Sequence, residues 1–318
     1  MTTEFSVQRI LVPLDGSEYG ERALPWAKAL AVDKAEVILL EVVPAASEVR
    51  DFRGRVISSV DDIAKGFQEL ARSQLDDARS RWFPDRETVT LVIAEGDPTE
   101  QILWAAVQHN ADLIVMSSQG RGAIGRFASG SVADRVVRHA PIPVMVVGPE
   151  SGRESEATIT RIVAPTDGSP LSLSSLPVAA GLAKHTNAPV KIVHVRTPSI
   201  DEFPAAYHGM AVVPAVYSAD FEDARQAEMD ALINTAVSAV KAVGAEASGD
   251  SYTGTVVNTI NELLLDGDIL VIASHGRKGI PRWVLGSTAM KLIQSGSAPL
   301  VVVTRDYLEA ADPDAPAS

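Results

Sequence analysis

The chain has no cysteine in 318 residues, which excludes disulfides, thiolate metal sites and a cysteine nucleophile. It has no apolar run approaching the ~20 residues that span a bilayer. Its opening, MTTEFSVQRILVPLDGSE, lacks a basic segment followed by an apolar stretch. Neither a signal peptide nor a membrane partner is therefore expected, and the expected compartment is the cytoplasm. Positive charge is scarce: 28 Lys and Arg stand against 41 Asp and Glu, for a net charge of −13. The deficit is shared, with 22 acidic and 16 basic residues in 1–150 and 19 and 12 in the rest. Without a basic face, nucleic acid is a poor partner. The pattern G-x-x-x-x-G-K-[ST] is missing too, which removes ordinary P-loop NTPase chemistry. The histidines show no metal-ligand spacing, so no metal site is expected.

What is present is a globular composition, 46% hydrophobic and 22% charged, in a chain whose length suggests two domains at about 100–200 residues each. The strongest feature is an internal repeat. RILVPLDGS at 9–17 returns as RIVAPTDGS at 161–169, and DLIVMSS at 112–118 as DILVIAS at 268–274. SGSV at 129–132 aligns with LGST at 285–288, and HAPIPVMVV at 139–147 with SGSAPLVVV at 295–303. The offset is 152 residues at the first pair and 156 at the later ones. Conserved order and near-constant spacing mean that a whole domain is duplicated. The expected division is a first domain over 1–148, a polar linker over 149–158, a second domain over 159–305, and a flexible tail over 306–318.

Within each copy, short Val/Ile/Leu-rich runs alternate with longer amphipathic stretches. The runs predict strands at Ile10–Leu14, Val37–Val43, Thr88–Ile93, Leu113–Met116 and Val144–Val147. The second copy repeats the pattern, with strands expected near Ile162–Thr166, Val190–Val195, Ala247–Thr253, Ile269–Ala273 and Leu300–Val303. Helices are expected over Asp61–Trp82, Pro98–His109 and Gly130–His139. Ser17 and Ser169 are expected to cap the first helix of each copy, with Pro170 at a favoured first position. Apolar strands alternating with helices predict an α/β fold of two tandem doubly wound domains. Each is expected to be a five-stranded parallel sheet with helices on both faces. The long irregular segments Pro44–Val60 and Arg196–Ala219 follow the second strand of each copy.

Ligands of open parallel sheets bind at the carboxyl ends of strands where the strand order reverses. There the first strand ends in Asp15-Gly16-Ser17 or Asp167-Gly168-Ser169. Such an aspartate can accept from a base amine or a ribose hydroxyl, or it can simply brace the turn. The fourth strand runs into Ser117-Ser118-Gln119-Gly120, then nine residues, then Gly130-Ser131. The second copy has Ala273-Ser274-His275-Gly276, nine residues, then Gly286-Ser287. Small residues let a backbone approach phosphate, and the following helix N-terminus is a natural anion site. Arg121, Arg126, Arg277, Lys278 and Arg282 lie in these loops, either to neutralise phosphate or as solvated side chains. Gly120-Arg121-Gly122-Ala123-Ile124-Gly125 fits G-x-G-x-x-G, but it follows the fourth strand and not the first, and the second copy lacks it.

At these residues the chain resembles the universal stress protein family in its tandem two-domain form. ILVPLDGS and IVAPTDGS look like the family's first strand, and the closing glycines look like its ATP motif, G-x-x-G-x9-G-[ST]. The resemblance implies an adenine nucleotide alpha hydrolase-like fold, pairing through the last strand, and ATP as cofactor, with or without magnesium, in the subset that carries the motif. It places adenine and ribose contacts at Pro13, Asp15, Val42 and Met116, and at Pro165, Asp167, Val195 and Ile272. It places phosphate contacts at Gly120, Gly130, Ser131 and Val132, and at Gly276, Gly286, Ser287 and Thr288. The departure is at the motif's first glycine, here Ser117 and Ala273.

No general base is evident for hydrolysis, because His275 has Gln119 as its counterpart. No catalytic residue is assigned. The expected function is an ATP-binding stress-response regulator with little or no turnover. A nucleotide-independent dimerising interaction module and a weak ATPase are the alternatives. Domain pairing within the chain is expected, with a homodimer left open. The sequence leaves ATP and other adenine nucleotides such as cyclic AMP unresolved, although the long glycine loop favours a triphosphate.

Overall fold

In the computed structural model the described residues are 5–32, 34–50, 53, 56–119, 131–151, 156–197, 219–274, 286–304 and 306–308. The first half runs β1 (Arg9–Leu14), α1 (Glu18–Glu21), α2 (Leu24–Leu30), β2 (Glu36–Val43), a two-stranded hairpin of β3 (Val49–Arg50) and β4 (Val56–Ser58), then α3 (Val60–Trp82). It continues with β5 (Val89–Glu95), α4 (Pro98–Gln108), β6 (Leu113–Ser117), α5 (Ser131–His139) and β7 (Val144–Val147). The second half repeats this with β8 (Arg161–Pro165), α6 (Pro170–Leu173), α7 (Leu176–Thr186), β9 (Val190–Arg196) and α8 (Ala219–Ala242). It ends with β10 (Ala247–Thr253), α9 (Val256–Leu263), β11 (Asp268–Ala273), α10 (Ser287–Ser295) and β12 (Leu300–Val303).

The expected first helix of each copy is in fact two helices. Ser17 and Ser169 do cap, accepting from Gly20 N and Ser172 N respectively. The helices then break at Arg22–Ala23 and Ser174–Ser175. Pro25 and Pro177 follow each break, and a proline has no N–H to continue the ladder, so each helix restarts with its proline in the first turn. The segment 44–60, expected to be irregular, carries the β3–β4 hairpin and the start of α3. Residues 198–218 and the tail from 309 lie outside the described residues.

Each half is a five-stranded parallel sheet, in the order β5-β2-β1-β6-β7 and β10-β9-β8-β11-β12. The two are joined edge to edge. β7 pairs antiparallel with β12, Val144 opposite Val302 and Val146 opposite Leu300, giving one ten-stranded sheet. Strand side chains alternate between faces, so β1 sends Ile10, Val12 and Leu14 to one core and Leu11 to the other. The first core lies under α2, α3, α7 and α8, and the second under α4, α5, α9 and α10; both cores include residues of both halves. At the amino ends of the strands, buried Asp268 takes Arg161 in a bidentate pair of 3.0 and 2.5 Å. Asp112 holds the amides of Gln8 and Arg9 at 2.8 Å in the equivalent place. These charges secure the strands far from the ends where a ligand would sit.

Candidate nucleotide site

In each half the strand order reverses beside the first strand, between β1 and β6 and between β8 and β11. Connections leave the two members of each pair toward opposite faces, which opens a crevice at their carboxyl ends. Asp15 and Asp167 stand there. Asp15 Oδ1 accepts from Ser17 N at 3.1 Å and Ser17 Oγ at 2.6 Å. Asp167 Oδ1 accepts from Ser169 N at 3.0 Å and Ser169 Oγ at 2.6 Å. Each serine hydroxyl in turn caps the helix that follows. Between aspartate and serine, Gly16 and Gly168 have φ of +68° and +76°, a region that L side chains avoid. The Asp-Gly-Ser sequence is thus the chemistry of one tight turn. Both aspartates brace it, one of the two roles the motif allowed.

The Asp167 carboxyl is held below its ordinary value. Partial burial works to raise it, but hydrogen bonds from Ser169, Ser172 and the backbone outweigh that penalty. At the position of Ser172 the first half has Gly20, where a Cβ would come within 2.5 Å of Asp15 Oδ1.

The apolar members of the predicted set lie together on the face of α4, α5, α9 and α10. Val42, Met116 and Val132 belong to that core in the first half, and Val195 and Ile272 in the second. Pro13 and Pro165 are half-buried in their strands. Ser131 opens α5 with its side chain exposed, as is that of Thr288 in α10. Gly286 is the N-cap of α10 and supplies no side-chain cap. Its own amide is used internally, donating to Ser274 O at 2.8 Å at the end of β11. The first-turn amides beyond it have no partner within the helix. Gly120, Gly130, Gly276, His275 and the five loop cations fall outside the described residues. Ser117, at the motif's departing first position, is buried, and its hydroxyl accepts from Gln119 N at 3.3 Å.

Sequence reasoning missed one pair at the same end of the sheet. Asp97 caps α4 through Thr99 N at 2.9 Å and Glu100 N at 3.1 Å, and it meets Arg135 of α5 at 3.3 Å. The backbone bond from Glu100 is the largest influence holding its carboxyl below the ordinary value. The signal was available as Asp-Pro ahead of an apolar helix. The two halves also differ in charge. Asp134 occupies the first turn of α5, paired with Arg138 at 2.8 Å, whereas α10 has no acidic residue in its first turn.

A cleft of about 80 Å³ opens on the opposite face, beneath Gly16, between β2 and α3. Glu21, Glu41, Asp77, Gln74 and Arg81 line it. Glu41 is buried and takes the Gln74 amide at 2.6 Å, and Arg81 is paired with Glu21 at 2.7 Å. Three carboxylates against one paired arginine make it a poor place for phosphate. Among the described residues no group of three or more acidic or imidazole side chains could hold a metal ion, and no helix is long and apolar enough to cross a membrane.

A fold of two such crevices in tandem agrees with what the sequence matches. The model of the universal stress protein family covers residues 6–148 and 158–304. The chain belongs to the universal stress protein family. A universal stress protein of Thermus aquaticus, from the 3′ region of its QAH/OAS sulfhydrylase, is 38% identical over 138 residues, 43% of this chain and 96% of its own length. A universal stress protein of Mycobacterium tuberculosis is 27% identical over 210 residues, 62% of this chain. That alignment spans only 60% of the mycobacterial relative. Among solved structures, a universal stress protein of Archaeoglobus fulgidus has a TM-score of 0.56 at 19% identity, covering 95% of this chain and 97% of its own. A protein of unknown function from Pseudomonas aeruginosa PAO1 has 0.61 at 15% identity, with 98% and 97% covered. At these identities the two structures establish the shared fold alone.

Proposed function

We propose that this universal stress protein binds an adenine nucleotide, ATP, in both crevices and acts as a stress-response regulator with little or no turnover. The base and ribose would lie against Pro13, Asp15, Val42 and Met116, and against Pro165, Asp167, Val195 and Ile272. The phosphates would meet the helix starts at Gly130, Ser131 and Val132, and at Gly286, Ser287 and Thr288, with Gly120 and Gly276 in the loops. The observation that carries this reading is the start of α10. A glycine cap offers no side chain of its own to the first-turn amides, beside the reversal of strand order, where an anion gains most from them. The apolar side chains on the same face would give the base a dry platform. A regulatory role is favoured over catalysis because the loop histidine, His275, has no counterpart in the first half. The site residues, the domain boundaries at 148 and 159, ATP itself with or without magnesium, and the cytoplasmic compartment all belong to this proposal.

Mass spectrometry of small molecules released from freshly purified protein is expected to yield ATP; cyclic AMP in its place would change the ligand but keep the crevice. Gly130→Asp with Gly286→Asp sets a carboxylate against each phosphate position and is expected to abolish binding in a folded protein. Unchanged affinity in that double variant would refute the assigned helix starts. Phosphate release above a mock preparation, lost with Asp15→Ala and Asp167→Ala together, would instead establish an enzyme.

A further inference from the structure

The segment that follows β7 is clasped between the two halves at a single joint. On one side it meets the helices that grow from the Asp15 turn. Arg22, which closes α1, donates from Nη1 to Pro149 O at 3.0 Å, and its guanidinium carbon lies 4.5 Å from the centre of the Tyr19 ring. One turn further, Trp26 Nε1 donates to Ser151 O at 2.8 Å. On the other side the segment meets the C-terminus of α10. Gly296 ends that helix at φ +61°, and its carbonyl accepts from Ser151 N at 3.0 Å. At Gly148 the contact is with the Gly296 backbone. A Cβ on Gly148 would stand 2.5 Å from Gly296 Cα, and one on Gly296 would stand 2.8 Å from Pro149 Cδ. The Pro149 ring, fixed to its own backbone, leaves little freedom to absorb a displacement.

From each end of this joint a helix runs toward one crevice. Arg22 closes the single-turn helix whose cap, Ser17, leans on Asp15. Gly296 closes a nine-residue helix whose first residue follows Gly286, and a helix this short moves as a rod of about 14 Å. We propose that the two nucleotide sites are energetically coupled through this joint, so that filling either one tightens the other. The inference rests on the nucleotide reading above and adds a regulation to it. Nucleotide on Asp15 would fix the turn, α1 and Arg22. Arg22 would then hold Pro149 against the C-cap of α10, so that part of the ordering needed at the Gly286 start is already in place. By linkage the effect is reciprocal.

The joint is also one-sided. The position equivalent to Arg22 in the second half is Ser174, whose hydroxyl is used locally on Leu171 O at 2.6 Å. The equivalent strand end does touch the other half, since Thr304 Oγ1 donates to Ala140 O at 2.8 Å. Among the described residues, however, no side chain of α6 reaches across as Arg22 does. A symmetric pair of identical chains would carry both arms or neither.

The test is a binding cycle by isothermal titration with ATP on the full chain. Gly286→Asp gives the affinity of the first site alone, Gly130→Asp that of the second, and the unaltered chain the product with both filled. The coupling factor is that product divided by the two single-site constants. It is expected to exceed about fivefold, the lower range for coupled sites. Arg22→Ala, added to each chain, is expected to bring the factor below about twofold while leaving both single-site constants and the thermal midpoint essentially unchanged. Gly296→Ala, which disturbs the joint from the other half, is expected to lower the factor as well. A factor of one in the unaltered chain, or one untouched by both variants, overturns the coupling and leaves the nucleotide reading standing. A change in the single-site constants of Arg22→Ala with the factor intact would make Arg22 a binding residue and likewise overturn it. Absence of binding in every chain overturns both.

Discussion

The smallest unit that carries the site is three residues long. Asp, Gly and Ser close a turn in which the aspartate holds the serine, the serine caps the next helix, and the glycine takes a φ that a side chain would strain. Gly168 shows the cost of change. A Cβ there would lie 2.1 Å from Leu232 Cδ1, on top of a positive φ. Gly168→Ala is therefore expected to lower stability by about 1–3 kcal/mol, read from urea unfolding; a neutral result would mean that the turn relaxes freely. The Asp167 carboxyl adds a pH signature. Its folded value is depressed, so its contribution is complete above the unfolded value of about 3.9 and is lost as pH falls through the folded one. Unfolding free energy measured from pH 7 down to 3 should decline below about pH 4, and Asp167→Asn should make that decline shallower.

At the scale of elements, the decisive feature is where helices begin. Ser17 and Ser169 each satisfy one amide, and replacing either with alanine is expected to cost about 1 kcal/mol by denaturant unfolding. β7 and β12 were legible because an apolar run buried on both faces leaves no alternative placement for Val, Leu and Met. β10, with no Val, Ile or Leu and only partly buried, was placed by its position in the repeated pattern. The split of the first helix was not read, although Pro25 and Pro177 are plain in the sequence, because a proline inside an amphipathic stretch fits either a first turn or a break. The turn aspartates were legible as residues, with bracing of the turn as one of two roles the motif allowed, but spacing does not decide between an inward hydrogen bond and an outward one. The Arg161–Asp268 pair was likewise invisible, its members being over a hundred positions apart. Removing its cation should leave a buried charge unpaired, and Arg161→Ala is expected to cost about 3–5 kcal/mol in the same assay.

At the scale of the whole molecule, the two halves share one sheet and two cores. His185 Nε2 of α7 lies 2.6 Å from Leu30 O of α2, the rings of Phe5 and Tyr307 meet edge to face at 6.4 Å, and β7 lies against β12. Gly148→Val would wedge this junction open at its tightest point, where the Cα of Gly296 is closest. A loss of about 1–3 kcal/mol is expected, and denaturant unfolding is expected to be broader than in the unaltered chain, or to divide in two, as the halves cease to unfold together. The sequence repeat announced the two halves, and the family resemblance implied pairing through the last strand. The asymmetry of their contact lay in non-repeated residues, Arg22 against Ser174 and Gly148 against Thr304, which a search for likeness passes over. Tethering has a consequence for dilution. Two separate subunits meeting through such strands would part as their concentration dropped. Strands on one chain instead face an effective concentration in the millimolar range when the connection is short. The partnership between β7 and β12 is thus insensitive to how many copies a cell holds. Each half always meets the same, non-identical companion and is free to specialise without being diluted by a copy of itself.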